Sequence, residues 1–246
     1  MYKESFLMAW ASLIANKMRS ILTMLGIIIG VAAVIALVSI GNGVKQDIQN
    51  SISSLGSNLL MVMPGAPRTP GVRPSPGSMK SLKVADYEAI AKLDGVKAAS
   101  PMTNGGYVVI YQNKNWTTSV SGVNANYLDV NNWTMKSGRF LSEKNVQNRE
   151  RVAVVGKTVV KNLFGDEDPV GKEIRVKNIP FRIIGVLNSK GSGAMGNDQD
   201  DMVIIPYTTA MERVDGIDYL RMIYVVGKDE NGIDRLQSDI ENLLRV

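Results

Sequence analysis

The 246-residue chain contains no cysteine and no histidine. Their absence removes thiolate nucleophiles, imidazole bases, the common zinc ligands and any disulfide framework at once. Triad hydrolysis and metal-dependent hydrolysis are therefore poor fits, and no catalytic residue, cofactor or metal site is expected. A domain outside the cytoplasm without disulfides must be held by its apolar core, a condition commoner in bacteria than in small secreted eukaryotic modules. Aromatic residues are sparse, with 4 Phe, 8 Tyr and 3 Trp, so no cage for an apolar drug is evident. A strong charge bias is also missing: beyond residue 20 there are 25 basic and 22 acidic side chains. The basic residues form no stripe and are not interleaved with stacking aromatics, which argues against a nucleic-acid partner.

What the chain does have is one long greasy run. Ile21 to Ile40, ILTMLGIIIGVAAVIALVSI, carries no charge. At about 1.5 Å per residue, a helix of that length spans the roughly 30 Å hydrocarbon layer. A cleaved signal peptide would be shorter and would end in small residues at a cut site, whereas this run continues into Gly41-Asn42-Gly43-Val44-Lys45. A retained transmembrane helix over 21–42 is expected. Lys3, Lys17 and Arg19 precede it and only Lys45 follows closely. Basic flanks stay on the cytoplasmic side, so the N-terminus is expected inside and the bulk of the chain outside a bacterial cytoplasmic membrane.

Residues 1–20 read as a cytoplasmic amphipathic helix. Tyr2, Phe6, Ala9, Trp10 and Leu13 share one stripe, and Tyr2, Phe6, Trp10, Lys17 and Arg19 are candidate membrane-interface residues in contact with lipid. Gly26 and Gly30, extended by Ala33, form a small-residue face on the span that would let another helix approach closely.

Beyond the span, 43–56 reads as a stalk helix and Leu59 to Met63 as a strand stopped by Pro64. Pro64 to Ser78 holds five of the nine prolines and is expected to be a mobile loop. Helices are expected at 83–93 (Val84, Tyr87, Ile90 and Ala91 inward), 157–164, 208–214 and 232–246. Strands are expected at 151–155, 173–176, 181–187, 202–205 and 220–226. A hairpin joins Tyr107 to Tyr111 and Trp116 to Val123 through the four residues Gln112 to Asn115. The outer part is thus a mixed α/β region.

Two phosphate-binding patterns are decoys. Gly156-Lys157-Thr158 looks like the end of a P-loop, but Arg151 stands where its first glycine belongs and 152–155 reads as a strand. Gly191-Ser192-Gly193-Ala194-Met195-Gly196 spells a dinucleotide fingerprint, yet the acidic 197–201 leads into a strand rather than a helix. A flexible exposed loop is expected there, with Gly191, Gly193 and Gly196 as candidate partner-contact residues. Asp198, Asp200 and Asp201 lack the ordered spacing of a calcium loop.

Several segments together resemble the MacB-like permeases of ABC transporters, within the FtsX-like permease superfamily. They are Leu13 to Ser20, Leu22 to Val31, Ile52 to Leu60, Asp168 to Lys172, Pro180 to Leu187 and Ile205 to Ala210. The resemblance implies an α+β protein: one N-terminal transmembrane helix, then a two-lobed extracytoplasmic domain. A porter-like lobe would cover 57–140 and 217–246, with a β-rich lobe inserted at 141–216. It also implies a non-enzymatic permease subunit coupled to a cytoplasmic ABC ATPase subunit, a second permease copy and an adaptor of the membrane fusion type. Efflux of a drug, peptide or similar substrate would follow, the alternatives being regulation of cell-wall hydrolases or lipoprotein release. Some members carry the ATPase ahead of the first span; here the chain starts at Met1, so a separate ATPase is expected. Three later spans of the family are not in this sequence, which suggests a piece of a longer permease.

Overall fold

The computed structural model describes residues 3, 8, 15–55, 58–65, 80–193, 196–229 and 232–245, with side chains left aside for 46–55. Two compact units result, Met1–Asn50 and Ser51–Val246. The expected interface residues Tyr2, Phe6 and Trp10, and most of the proline-rich loop, lie outside the described residues.

Helix α1, Lys17–Leu55, runs 39 residues without a break, about 58 Å at the usual rise. Within it, Lys17–Lys45 is long and apolar enough to cross a membrane. Its side chains are exposed on every face, Ile21 and Leu37 at 58% and 78% among them. A water-soluble surface helix keeps one polar face, whereas an all-round apolar helix needs lipid or a surrounding protein core. Thr23 hides its hydroxyl by donating to the Arg19 carbonyl, 2.6 Å away.

The second unit is built on a nine-stranded sheet. In chain order its elements are β1 (Leu59–Val62), α2 (Val84–Ile90), β2 (Val96–Tyr111), β3 (Lys114–Val123), α3 (Tyr127–Val130), β4 (Met135–Gly138), α4 (Glu143–Gln147), β5 (Val152–Val155), α5 (Lys157–Leu163), β6 (Glu173–Val176), β7 (Ile179–Leu187), β8 (Met202–Pro206), α6 (Tyr207–Thr209), a π-helical turn (Ala210–Asp215), β9 (Met222–Gly227) and α7 (Ile233–Leu244). The strand order is β1-β9-β2-β3-β8-β5-β7-β4, with β6 bridging β2 and β7. β2 is the spine: Val96 to Met102 pair with β9, and Thr103 to Tyr111 pair with β3.

Three apolar clusters hold the sheet. One, at the β1-β9-β2 end, packs Ile90 of α2 and Leu236 and Ile240 of α7 over Ile223 and Val225. The other two lie around β5, whose Ala153 and Val155 enter one cluster and Val152 and Val154 the other. Burial on both faces is why this strand reads as an unbroken apolar run. The segment 141–216 contributes β5 to β8, and the sheet continues across both ends of that segment.

Several expectations are corrected in detail. The β2–β3 hairpin closes with two residues, Gln112 and Asn113, rather than four, and β2 starts eleven residues earlier than Tyr107. Gln112 takes φ 53°, which a two-residue hairpin needs. The helix at 84–90 ends early, leaving Ala91 exposed while Leu93 packs on the core. The helix expected at 208–214 is one α-turn followed by a π-turn closed by left-handed Gly216.

α6 and the π-turn together join the cores: Tyr207 and Met211 enter the α2–α7 cluster, Ala210 and Val214 the α5 cluster. Tyr107 donates its phenol to the Asp215 carboxylate. Burial, reinforced by Asp215, pushes the Tyr107 phenol up to about 12, and burial does the same for Tyr207, against an ordinary 10.0. The folded state therefore holds these protons more tightly than the unfolded chain, so stability is full below pH 10 and is lost as pH rises from there towards 12. An alkaline titration should show loss of far-ultraviolet dichroism together with tyrosinate absorbance, with no transition between pH 7 and 9 from these groups.

Candidate functional site

The glycine-rich connection between β7 and β8 is held by hydrogen bonds among its described residues. Its tip is turned by left-handed Gly191 and Gly196, both at φ 75°. Across the tip, Gly193 donates its amide to the Asn197 carbonyl at 2.8 Å and Gln199 donates to Gly191 at 3.0 Å. Ser192 bridges to Asp198. Gly191, Gly193 and Gly196 are thus brought onto one short hairpin-like turn.

The root is held by a buried acid. Asp200 is 4% exposed. Its carboxylate accepts the Ser189 hydroxyl, the Lys190 amide at 2.8 Å and the Gly191 amide at 3.2 Å. Charge-assisted bonds to a buried carboxylate are among the stronger single interactions in a fold. Lys190 continues away from the loop, donating its ammonium to the Asn131 carbonyl at 2.6 Å and lying over the Trp133 ring at 4.6 Å. Partial burial pulls that ammonium below its ordinary range.

The two phosphate-binding decoys meet here. Gly156 caps α5, and its Cα packs so closely on the Asp200 carbonyl that no Cβ fits. Thr158 donates its amide to the same carbonyl at 3.3 Å and its hydroxyl to Asp198 at 2.6 Å. The place where a P-loop would hold phosphate oxygens is therefore taken by the protein's own aspartate and peptide oxygens. Asp201 faces elsewhere, accepting Trp116 Nε1 at 2.8 Å. The three acids point to three different partners, and among the described residues no group of acids is arranged to hold a metal.

On α1, a Cβ built at Gly26 or Gly30 meets no heavy atom within 4 Å, and Ala33 is exposed alongside. Lys17 and Arg19 are exposed at the start of the apolar segment. The sequence places Gly191, Gly193 and Gly196 in a loop but gives no sign that Asp200 is the buried acid at its root or that Thr158 binds Asp198. One acid among three neighbours carries no mark of burial, and Thr158 stood inside a decoy.

The family model of the MacB-like periplasmic core domain matches residues 20–243. The macrolide export ATP-binding/permease protein MacB of Rhodospirillum rubrum is 45% identical over 246 residues, covering 99% of this chain and 37% of that protein. Its namesake from Wolinella succinogenes is 38% identical over 241 residues, again 98% of this chain and 37% of the relative. The chain thus spans little more than a third of the length of these curated relatives. Among solved structures, the periplasmic region of MacB from Actinobacillus actinomycetemcomitans superposes with TM-score 0.68 at 26% identity, over 79% of this chain and 86% of that one. The extracellular domain of the noncanonic ABC-type transporter YknZ shares the fold at TM-score 0.64 and 18% identity, over 76% and 93%. By the extent of the family match and the identity to these relatives, this chain belongs to the MacB-like periplasmic core domain family.

Proposed function

We propose that this chain is the first membrane helix and the outer domain of an ABC-type exporter permease, which turns ATP hydrolysis on a separate cytoplasmic ATPase subunit into motion outside the membrane. The observation that carries this is the reach of the family likeness, which runs through the apolar helix and the outer domain together, over residues 20–243. The Thr158 hydroxyl and the Lys190 amide are already bonded to Asp198 and Asp200, so neither glycine motif of the outer domain offers a phosphate cradle there. The N-terminus lies inside, as the basic Lys17 and Arg19 favour. Movement needs unequal affinity of nucleotide for the two states of the ATPase pair, since only differential binding shifts a conformational equilibrium.

In this reading the β1-β9-β2 end with α2 and α7 acts as the porter-like lobe, 141–216 as the inserted lobe, and the loop at Gly191, Gly193 and Gly196 touches a membrane fusion adaptor. The cargo is a drug, peptide or similar substrate. The Gly26, Gly30 and Ala33 face packs on another helix of the permease or of its second copy. Co-purification of the full permease with its ATPase, followed by a test for substrate-stimulated hydrolysis, checks the coupling; hydrolysis indifferent to every tested substrate contradicts it. Placing Ile at both Gly26 and Gly30 should cut recovery of the assembled complex at least tenfold while the outer domain melts unchanged. Full assembly with both substitutions removes the packing face.

A further inference from the structure

Two arginines stand over one apolar cleft without a carboxylate of their own. The cleft, about 450 Å³, lies where the end of β4 and the start of β5 meet β7. Buried Val152 and Ile184 form its floor, half-buried Val170 one wall, and Arg139, Glu150 and Arg182 its polar rim. Both arginines are exposed, and their backbones are fixed to the sheet. The Arg139 amide donates to the Ile184 carbonyl and the Arg182 amide to the Arg151 carbonyl, each at 2.9 Å. Gly171, left-handed at φ 87°, turns the chain after Val170 and donates its amide to the Ile183 carbonyl at 2.8 Å.

A buried asparagine keeps the rim charges apart. Asn145, 3% exposed, accepts from Arg139 Nη1 at 3.2 Å through Oδ1 and donates Nδ2 to the Glu150 carboxylate at 2.6 Å. Glu150 is thereby turned to an amide, and no ion pair joins it to Arg139 or Arg182 among the described residues. Arg139 spends a single N–H of its fork on Asn145. Arg182 has Glu173 opposite it on β6, yet its guanidinium makes neither an ion pair nor a hydrogen bond among the described residues.

Planar forks over an apolar floor are the donor set that suits a carboxylate on a greasy body. Guanidinium and carboxylate match bidentately, while the body displaces water from Val152 and Ile184. Charge decides between oxyanions: two cations and one anion leave the cleft with a single net positive charge, which a monocarboxylate neutralises and a doubly charged phosphate exceeds. We infer that this cleft binds a monocarboxylate carried on an apolar body, its oxygens held by Arg139 and Arg182 and its body laid on Val152, Val170 and Ile184. Asn145 is the positioning residue for Arg139.

The probe is N-acetylleucine, with N-acetylleucine amide as its neutral twin. Binding is read by equilibrium dialysis against the 246-residue chain in lipid nanodiscs, with empty nanodiscs subtracted. The acid should bind saturably and about tenfold more tightly than the amide or inorganic phosphate, the difference expected when a charge-assisted pair is lost. Arg182→Gln gives up no bond within the fold, so it should weaken the acid about tenfold without moving the melting temperature, and Arg139→Gln should weaken it as much. Lys161→Gln, exposed on α5, should change neither quantity. Glu150→Gln removes the cleft's anion and should tighten phosphate binding about threefold, a shift that a merely structural role for Glu150 would not produce. A short peptide ending in a free leucine carboxylate separates the sources. Tighter binding of the peptide than of the acid assigns the ligand to a polypeptide chain end, and equal or weaker binding assigns it to a free organic acid. Equal binding of acid and amide, binding untouched by Arg182→Gln, or phosphate bound more tightly than the acid overturns the proposal.

Discussion

Gly122→Ala is expected to lower the melting temperature of the outer domain by roughly 6–12 °C, the equivalent of about 3 kcal/mol for a unit of this size. Gly122 sits on β3 where the helical segment after β8 crosses it. A Cβ there would overlap the Ala210 methyl, lie 2.6 Å from Thr103 Oγ1 and lie 3.0 Å from the Tyr207 Cα. Two of those three atoms belong to the segment that ties the apolar clusters together, so the strain cannot be relieved by turning one side chain. Ala210→Gly removes the methyl overlap and leaves the other two contacts. The double variant should therefore melt above the value obtained by adding the two single effects, with an interaction energy of about 1 kcal/mol. Additive behaviour would mean that β3 and the π-turn are not in the close contact described here.

Asp200→Ala is expected to loosen the glycine loop from its root. It leaves the Ser189 hydroxyl and the Lys190 and Gly191 amides without their acceptor in a site where Asp200 is 4% exposed. Each orphaned group forfeits its bond to a charged partner, and a loss of about 3 kcal/mol in local opening energy follows. Amide exchange at Lys190 and Gly191 should accelerate by roughly a hundredfold on that figure. Asp201→Ala, which gives up the Trp116 Nε1 bond, should leave those two amides as they were. If the loop is the adaptor contact, Asp200→Ala also weakens adaptor binding without touching an exposed residue. Unchanged exchange at Lys190 would show that the loop is shaped by its own turns and not by the buried carboxylate.

The elements that sequence reading placed correctly are those whose pattern is local. The apolar span, the alternation of Glu173 to Leu187 around Lys177-Asn178, and the i, i+3, i+7 stripe of Ile233, Leu236 and Ile240 each carry their own period. Gly191, Gly193 and Gly196 are legible as a loop because the acidic residues after them lead into a strand and not into the helix a dinucleotide fingerprint needs. β2 was only half visible: Val96 to Gly106 contains Ser100, Pro101, Asn104 and two glycines, a composition that argues against a strand. It becomes one because β9 and β3 supply partners on either side, and no local pattern announces a partner more than a hundred residues away. The π-turn reads in sequence as an ordinary helix for a similar reason, since no local pattern announces the close approach of Ala210 to Gly122 of β3.

Asp200 is the clearest case of a residue whose role only the fold reveals. In the run Asn197-Asp198-Gln199-Asp200-Asp201 all three acids look alike, and each ends with a different partner. The decoy at Gly156-Lys157-Thr158 gained its meaning in the same way, as the surface on which that acidic run is laid. The family likeness covered this region through Pro180 to Leu187 and Ile205 to Ala210 and so bracketed the loop without describing it.

The central claim is that α1 anchors the chain with the mixed α/β domain on the outer side of the membrane. Because the sequence has no cysteine, one introduced thiol reports cleanly. Lys136→Cys lies at an exposed position on β4. In intact cells it should react with a thiol reagent that cannot cross the cytoplasmic membrane, to the same extent as after lysis. Labelling that appears only once the membrane is broken would place the domain in the cytoplasm and contradict the account.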